Sequence, residues 1–221
     1  YTIGLGYREE EYEMFGVETK RRGKEIEERI TALRRALSGE AFEWRGRRIH
    51  VQPKPASAGS PIIAYGGGSK AAAERAARLG MMFFPQTADP MMAVFYDEEA
   101  ERVGNPPGLT MAPTKGAPTT VFVAESLDDG WEQFGPYMLH DAVSYRGWMG
   151  EDNNSASLSQ ASSIDELRSE NGPYRIVTPK QAIKLIKAYQ ALSLQPLCGG
   201  VPPDLAWSSL SLIEKKVLPF C

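Results

Sequence analysis

The chain has 221 residues, of which 42% are hydrophobic and 24% are charged, a composition that is ordinary for a globular protein with a buried core. Its 25 basic and 28 acidic residues give a net charge of −3, which argues against nucleic acid or an anionic membrane as a partner. No apolar run is long enough to span a bilayer, and two cysteines are too few for a disulfide framework. We expect one cytoplasmic domain with reduced thiols.

The first part of the chain alternates short apolar runs with helical patterns. Residues 1–5 predict a strand, and a helical pattern follows from Glu9 to Leu37 with an interruption at Gly16. Residues 42–51 alternate around a glycine turn and predict a β-hairpin, whereas prolines within residues 53–61 predict a loop.

A strand-to-helix unit comes next and is the clearest in the chain. Residues 61–65 predict a strand that the glycines at 66–68 break, and Lys70 to Leu79 predict an alanine-rich helix. A second buried strand at residues 81–85 and a helix at residues 90–103 follow.

The remaining elements continue the same alternation. Residues 119–124 predict a strand, and Asp128 and Asp129 offer N-cap chemistry for a helix over about residues 130–145. Residues 150–163 predict a long loop that is mobile or serves as a lid. The other predicted elements are a short helix capped by Ser163, a strand at 174–177, a helix capped by Thr178 with Pro179 at its first position, a last strand and turn at 195–200, and a final helix to Val217. Strands that alternate with helices favour a parallel α/β sheet.

The glycine-rich stretch Gly66-Gly67-Gly68-Ser69 carries the most chemical information. Glycines let the backbone approach a ligand closely, and the free N–H groups at a helix N-terminus favour an anion such as phosphate. The stretch matches neither the Walker loop nor the Gly-x-Gly-x-x-Gly dinucleotide pattern. The alternative is a tight turn in which Ser69 is an ordinary N-cap.

The order and spacing of several motifs resemble the luciferase-like family of flavin- and deazaflavin-dependent oxidoreductases. The strongest match is residues 61–80, which contain Gly67-Gly68-Ser69. The resemblance extends over nearly the whole chain through residues 4–16, the helix with Arg22, Glu27 and Glu28, and residues 39–46, 135–141, 172–179 and 197–207.

The resemblance implies a (β/α)₈ TIM barrel of which this chain holds only strands 4–8 with their helices. A complete barrel of this type needs about 250 residues, and five strands cannot close one. We therefore expect residues 1–221 to be one domain that is incomplete at its N-terminus, through a truncated record, a partial chain or a degenerate reading frame.

The resemblance also implies the cofactor and the partners. Reduced FMN or a reduced deazaflavin, coenzyme F420, is the expected cofactor, and it passes electrons to oxygen and an organic substrate or moves hydride without oxygen. A small organic substrate and a homodimer are expected. No metal is expected, because the sequence has no cluster of His, Cys, Asp or Glu at metal-ligand spacing.

Active sites of such barrels lie at the carboxyl ends of the strands, which selects the candidate cofactor residues. Gly67, Gly68 and Ser69 are expected to bind the cofactor phosphate, with Arg22 as a charge partner at a position that resembles the family's phosphate-binding arginine. Gly6 and Tyr7, after the first strand, complete the predicted cofactor site. The alternative for Arg22 is a solvated charge within a basic run.

Candidate catalytic and substrate residues lie in the second half. His140, beside Asp141, is the predicted general acid, because histidine titrates near neutral pH; the alternative is a polar helix residue without a ligand. Tyr145, Trp148 and Cys198 are predicted to line an apolar substrate pocket, with core packing as the alternative.

Three functions are consistent with the sequence. The leading hypothesis is a luciferase-like monooxygenase or oxidoreductase. The second is a catalytically silent barrel relative, or a non-enzymatic fragment, that binds a flavin or supports a partner. The third is a phosphosugar enzyme, which fits the glycine stretch but lacks the other matching segments.

Overall fold

The computed structural model describes residues 1–57, 61–150 and 154–221 as two compact α/β units. The first unit comprises Tyr1–Pro85 and Asp89–Ala112, and the second comprises Gln86–Ala88 and Pro113–Cys221. In the described part of the chain, no helix is both long and apolar enough to cross a membrane. That residues 1–221 form a single domain stays a prediction.

The first unit follows the predicted alternation of strands and helices. Its elements in chain order are β1 (Thr2–Ile3), α1 (Glu9–Met14), a 3₁₀ turn (Thr19–Arg21), α2 (Arg22–Leu37), β2 (Phe42–Trp44), β3 (Arg47–Ile49), β4 (Ala64–Gly67), α3 (Lys70–Arg78), β5 (Met82–Pro85) and α4 (Met91–Val103). The long helical pattern is divided where Gly16 takes a φ of +62°, a left-handed conformation that favours glycine.

A parallel sheet in the order β1-β4-β5 forms the centre of the first unit. Thr2 pairs with Ala64, and Ala64 pairs with Met82, so the three strands end at one edge. The predicted hairpin is confirmed as the antiparallel pair β2-β3. One further parallel bridge, between Phe83 and Thr110, was not predicted from the sequence.

The core of the first unit lies between the sheet and its helices. Four alanines of α3 lie on its buried face, and their small side chains let the helix pack closely against Tyr65 and Phe83. The buried residues of this core are Ile30, Tyr65, Ala72, Ala73, Ala76, Ala77, Met81, Phe83, Met92, Tyr96 and Ala100.

Strand β4 lies later in the chain than the predicted strand at residues 61–65. It runs from Ala64 to Gly67, so Gly66 and Gly67 belong to the strand and do not break it. Neither glycine has a positive φ. Their small size has a packing reason, because a Cβ on Gly66 would lie 3.0 Å from Cγ2 of Thr2, and one on Gly67 would lie 2.6 Å from Cβ of Ala72.

The second unit contains one parallel strand pair between helices. Its elements are β6 (Thr120–Val123), α5 (Leu127–Met149), α6 (Ile164–Glu170), β7 (Tyr174–Val177), α7 (Pro179–Tyr189), a 3₁₀ turn (Cys198–Gly200), α8 (Pro203–Lys216) and a 3₁₀ turn (Leu218–Phe220). Strands β6 and β7 pair in parallel with Thr120 opposite Tyr174.

Both faces of the β6-β7 pair are buried, which explains why the sequence of β6 is apolar at successive positions. Phe122 and Ile176 belong to a core that includes Trp131, Phe134 and Met138 of α5. Their strand neighbours point the other way, into a second core that includes Val121, Val123, Val177, Ala182, Ile213 and Val217.

Two predictions in the second unit are wrong: the N-cap of α5 and the strand at residues 195–200. Helix α5 begins at Leu127, and its N-cap is Ser126, whose Oγ accepts a hydrogen bond from the amide of Asp129 at 3.4 Å. Asp128 and Asp129 therefore lie in the first helical turn, where carboxylates favour the helix dipole. Residues 195–200 form no strand, because Gly199 and Gly200 adopt positive φ angles within a 3₁₀ turn.

The predicted loops are described only in part. Gly59 of the loop at residues 53–61 and residues 151–153 of the loop at 150–163 lie outside the described residues. Residues 154–163 are anchored, since the Arg146 guanidinium donates to the carbonyl oxygens of Gln160 at 2.6 Å and Ala161 at 3.0 Å. This part of the predicted lid is thus held to α5.

Candidate functional site

The carboxyl ends of β1 and β4 bring the predicted cofactor residues to one edge of the first unit. Because the strands are parallel and Ile3 pairs with Tyr65, the residues after β1 and those after β4 leave the sheet at the same edge. A Cβ on Gly4 would lie 3.8 Å from the carbonyl oxygen of Gly66. Gly6 and Tyr7 therefore share an edge with residues 67–69, which we call the 67–69 turn.

Helix α3 begins at the 67–69 turn and presents free backbone donors there. Ser69 is its N-cap, and its Oγ accepts a hydrogen bond from the amide of Ala72 at 3.2 Å. Within residues 1–57, 61–150 and 154–221, the amides of Lys70 and Ala71 meet no hydrogen-bond acceptor. A hydroxyl group that accepts one hydrogen bond still has a proton to donate. The turn thus offers two amides and one hydroxyl to an anion.

The segment after β1 has a defined shape. Gly6 adopts a φ of +80°, so this position needs a glycine to avoid backbone strain. The Tyr12 hydroxyl donates to the carbonyl oxygen of Leu5 and lies 3.3 Å from that of Gly6. A cavity of about 350 Å³ opens here and is lined by Leu5, Gly6, Tyr7, Tyr12, Phe15 and Val17 among others.

Arg22, the first residue of α2, is half-buried and stacks on Tyr12. Its guanidinium carbon lies 5.5 Å from the centroid of the Tyr12 ring, within the range of a cation–π contact. A guanidinium that stacks on a ring keeps its in-plane N–H donors. The structure therefore gives Arg22 a defined contact with Tyr12, which a fully solvated charge would lack.

An ion-pair network that was not predicted from the sequence joins α2, α3 and α4. Glu27 accepts hydrogen bonds from Arg75 at 3.0 Å and from Arg78 at 2.9 Å. Arg78 also donates to Glu99 at 3.0 Å, and Arg102 donates to the same carboxylate at 2.5 Å. These partners hold the pKa of Glu99 to about 2, with Arg102 as the larger cause and Arg78 as the second.

The signal for this network was present but weak. Arg75 and Arg78 flank the alanine face of α3, and the spacing alone does not say which carboxylate they meet. Glu27 lies 48 residues away from Arg75 in the chain, and Glu99 lies 21 residues from Arg78. Only the packing of α2 and α4 beside α3 identifies these pairs.

In the second unit, the predicted general acid and its neighbour face different surroundings. His140 is exposed on α5. Asp141 is half-buried and accepts a hydrogen bond from the Tyr174 hydroxyl at 2.7 Å. Burial raises the pKa of Tyr174 far above its usual range, and the Asp141 carboxylate adds to the effect. The role of His140 stays a prediction.

Cys198 lies in the same cluster as Asp141 and Tyr174. The thiol is buried, and burial followed by the negative charge of Asp141 raises its pKa well above the ordinary value. A cysteine in these surroundings is a protonated thiol at neutral pH and is a poor nucleophile. This geometry agrees with packing or substrate contact rather than covalent chemistry.

The predicted substrate aromatics are close to each other. The rings of Tyr145 and Trp148 meet edge to face, with centroids 5.4 Å apart and an angle of 62° between them. Trp148 is 40% exposed. A cavity of about 390 Å³ in this unit is lined by other residues, including Trp131, Tyr174 and Ile176, so none of the predicted pocket residues lines it.

Metal binding is not supported by any cluster in the described part of the chain. No group of three or more His, Cys, Asp or Glu side chains is arranged there to hold an ion.

Comparison with known proteins identifies the family. The sequence model of the luciferase-like monooxygenases matches residues 2–195, and the chain belongs to this family. No protein with a curated description matches the chain.

Solved structures show the fold that this family assignment leads one to expect. The monooxygenase RslO1 from Streptomyces bottropensis has a TM-score of 0.62 and 18% identity, over 99% of this chain and 67% of that one. An F420-dependent secondary alcohol dehydrogenase, solved with an F420-acetone adduct, has a TM-score of 0.58 and 12% identity, over 100% of this chain and 69% of that one. The predicted luciferase-like fold class, with parallel strands and helices, is confirmed.

A third similar structure contains FMN. It is the oxygenating constituent of 3,6-diketocamphane monooxygenase from Pseudomonas putida, a type II Baeyer-Villiger monooxygenase, with a TM-score of 0.55 and 18% identity over 99% of this chain and 69% of that one. The similar structures thus include one FMN complex and one F420 complex.

Proposed function

We propose that this chain is an oxidoreductase of the luciferase-like class that binds reduced FMN or a reduced deazaflavin and acts on a small organic substrate. The observation that carries the proposal is the amino end of α3, where the amides of Lys70 and Ala71 and the Ser69 hydroxyl are available to a phosphate. The FMN and F420 complexes among the similar structures support this choice of cofactor class.

The residues present at the 67–69 turn fit a phosphate. Gly67 has no room for a Cβ, because Ala72 packs against it, so the backbone is the only surface that this position offers. Gly68 and Ser69 would hold the phosphate by hydrogen bonds, with Arg22 as a counter-charge, and Gly6 and Tyr7 would contact the cofactor from the end of β1. A bound reduced flavin supplies electrons for oxygen or hydride chemistry.

The second unit would supply the substrate contacts. Tyr145, Trp148 and Cys198 are the proposed substrate residues, and His140 is the proposed general acid. We place the enzyme in the cytoplasm, in keeping with its two free cysteines. We further expect it to be a homodimer, on the strength of the family resemblance.

A catalytically silent relative is the second candidate, and one observation favours it. His140, the residue proposed for proton transfer, is exposed, while its neighbour Asp141 is engaged by Tyr174. A relative that binds the cofactor without turnover would need no buried acid.

Titration of the full chain with FMN and with F420, oxidised and reduced, tests the proposal through cofactor fluorescence. We expect one of the two to bind with a Kd well below about 1 mM, where the binding free energy is only about 4 kcal/mol. Failure of both cofactors to bind in this range contradicts the proposal. Binding without consumption of oxygen or of reduced cofactor across a substrate panel selects the silent relative.

A further inference from the structure

Arg75 is the most enclosed arginine of the ion-pair network of the first unit. Its side chain is 12% exposed, compared with 34% for Arg78 and 65% for Arg102. Its Nε donates to Oε1 of Glu27 at 3.0 Å, and its Nη1 donates to the Tyr65 hydroxyl at 3.3 Å. One planar group therefore meets α2 and β4 at the same time.

Two contacts of Arg75, with Tyr65 and with Gly23, lie close in sequence to a proposed phosphate residue. Tyr65 is a completely buried residue of β4, two positions before Gly67. On the other side, the guanidinium packs so closely on Gly23 that a Cβ there would overlap Nη2. Gly23 directly follows Arg22 in the first turn of α2.

The first turn of α2 has another tie to the sheet edge, because Arg22 stacks on Tyr12, whose hydroxyl donates to the carbonyl oxygen of Leu5 after β1. Among the described residues, the N-caps of α1 and α2 carry no side-chain capping hydrogen bond. Further ties join α2 to α3 and lie further along α2 than Gly23: Arg78 donates to Glu27 at 2.9 Å, and Arg34 donates to the carbonyl oxygen of Leu79 at 2.6 Å. Arg75 thus joins the first turn of α2, at Gly23, to strand β4, at Tyr65.

We propose that Arg75 is a positioning residue that holds the first turn of α2, and with it Arg22, beside the 67–69 turn so that both act on one cofactor phosphate. The inference rests on the proposed function, since it assigns how that phosphate site is assembled. Arg75 itself contacts no ligand in this proposal.

Arg78 offers a matched control on the same helix. It also donates to Oε1 of Glu27, it carries the same charge, and it lies one turn further from the 67–69 turn. Its second partner is Glu99 on α4, so its loss leaves the contacts to Tyr65 and Gly23 intact. A purely electrostatic role through Glu27 would make the two arginines equivalent.

The test compares FMN with riboflavin, which lacks the phosphate, in titrations of the full chain and of its Arg75→Met and Arg78→Met variants. F420 and its phosphate-free chromophore are titrated in parallel. We expect Arg75→Met to raise the Kd of the phosphate-bearing cofactor about tenfold, the lower end of the range for groups that orient a binding residue. For Arg75→Met, the Kd of the phosphate-free compound is expected to stay within about twofold of the wild-type value. For Arg78→Met, the Kd values of both compounds are expected to stay within about twofold of wild type.

Each outcome decides between the role of Arg75 and a general loss of structure. Equal losses for both members of a cofactor pair, or equal losses in the Arg75 and Arg78 variants, overturn the inference. If Arg75→Met does not fold, Tyr65→Phe removes only one hydrogen bond of the guanidinium, and an unchanged ratio of the two Kd values in this variant overturns the inference. A wild-type chain that binds no cofactor contradicts the proposed function itself, which separates the two failures.

Discussion

Two strand-to-helix junctions of the molecule use the same kind of cap and present different surfaces. At the start of α3, Ser69 follows three glycines, and the next two amides meet no acceptor among the residues that the structure describes. At the start of α7, Thr178 forms a capping box with Gln181, and Pro179 at the first helical position has no N–H. Among the described residues, the α7 junction leaves one amide without an acceptor, that of Lys180, whereas the α3 junction leaves two, those of Lys70 and Ala71.

The two units also differ in the partners of their carboxylates. In the first unit, Glu27 and Glu99 are shared by arginines that connect helices, and Arg22 adds a further positive charge on the Tyr12 ring, beside the segment after β1. In the second unit, Asp141 faces the neutral groups of Tyr174 and Cys198. This difference supports the proposal that the first unit accommodates an anion, whereas the polar groups of this cluster in the second unit bond to one another.

The largest expected effect is that of adding a side chain at Gly67, where Ala72 leaves no room for one. Gly67→Ala places a methyl group 2.6 Å from Cβ of Ala72, and we expect this overpacking to cost about 2 kcal/mol of unfolding free energy and to weaken FMN binding. Urea unfolding and cofactor titration measure the two effects. Gly147→Ala, where a methyl group meets open space, is the control. Equal stability of the two variants would contradict the close packing of α3.

The two caps provide the sharpest test of the comparison itself. Ser69→Ala and Thr178→Ala each remove an N-cap, and each should cost about 1 kcal/mol of unfolding free energy. Only Ser69→Ala is expected to raise the Kd of FMN, by about tenfold, because it also removes a donor to a charged group. Urea midpoints and fluorescence titrations are measured on both variants. Loss of FMN affinity in Thr178→Ala of the same size would end the distinction between the junctions.

Acid should weaken the first unit through Glu99. Its folded-state pKa of about 2 lies below the ordinary value of 4.5, so its contribution to stability is present above pH 4.5 and is lost as the pH falls toward 2. The exposed Arg102 side chain makes this effect modest. Urea midpoints between pH 7 and pH 3 should fall less steeply for Glu99→Gln than for the wild type. Glu101→Gln, at an exposed position of α4, should keep the wild-type slope.

The smallest effect concerns the two thiols. Exposed Cys221 should react with iodoacetamide at pH 8 within minutes, whereas buried Cys198, with its raised pKa, should react only when the second unit opens. Mass spectrometry of the alkylated peptides follows both sites, and addition of urea serves as the control that exposes Cys198. Equal rates in native buffer would show that the Asp141 cluster is open to solvent.

Local chemistry accounts for the features that the sequence predicted well. The caps of Thr178 and Ser69 were predicted, and each cap joins residues within three positions of each other, so their signals survive in the sequence. The wrong predictions have a similar origin. By residue type, Asp128 and Asp129 are as suitable for an N-cap as Ser126 is. The apolar residues before Gly199 suggested a strand, but the positive φ angles of Gly199 and Gly200 make a 3₁₀ turn.

By itself, the sequence determined the alternation of strands and helices, the family resemblance and the position of the glycine-rich turn, because each depends on residues near one another in the chain. Only the tertiary structure decided that Arg75 joins α2 to β4, that Asp141 meets Tyr174, and that residues 109–111 approach β5. These contacts connect residues that are tens of positions apart. Their partners are chosen by packing, because burial leaves each polar group only the neighbours that the fold brings to it.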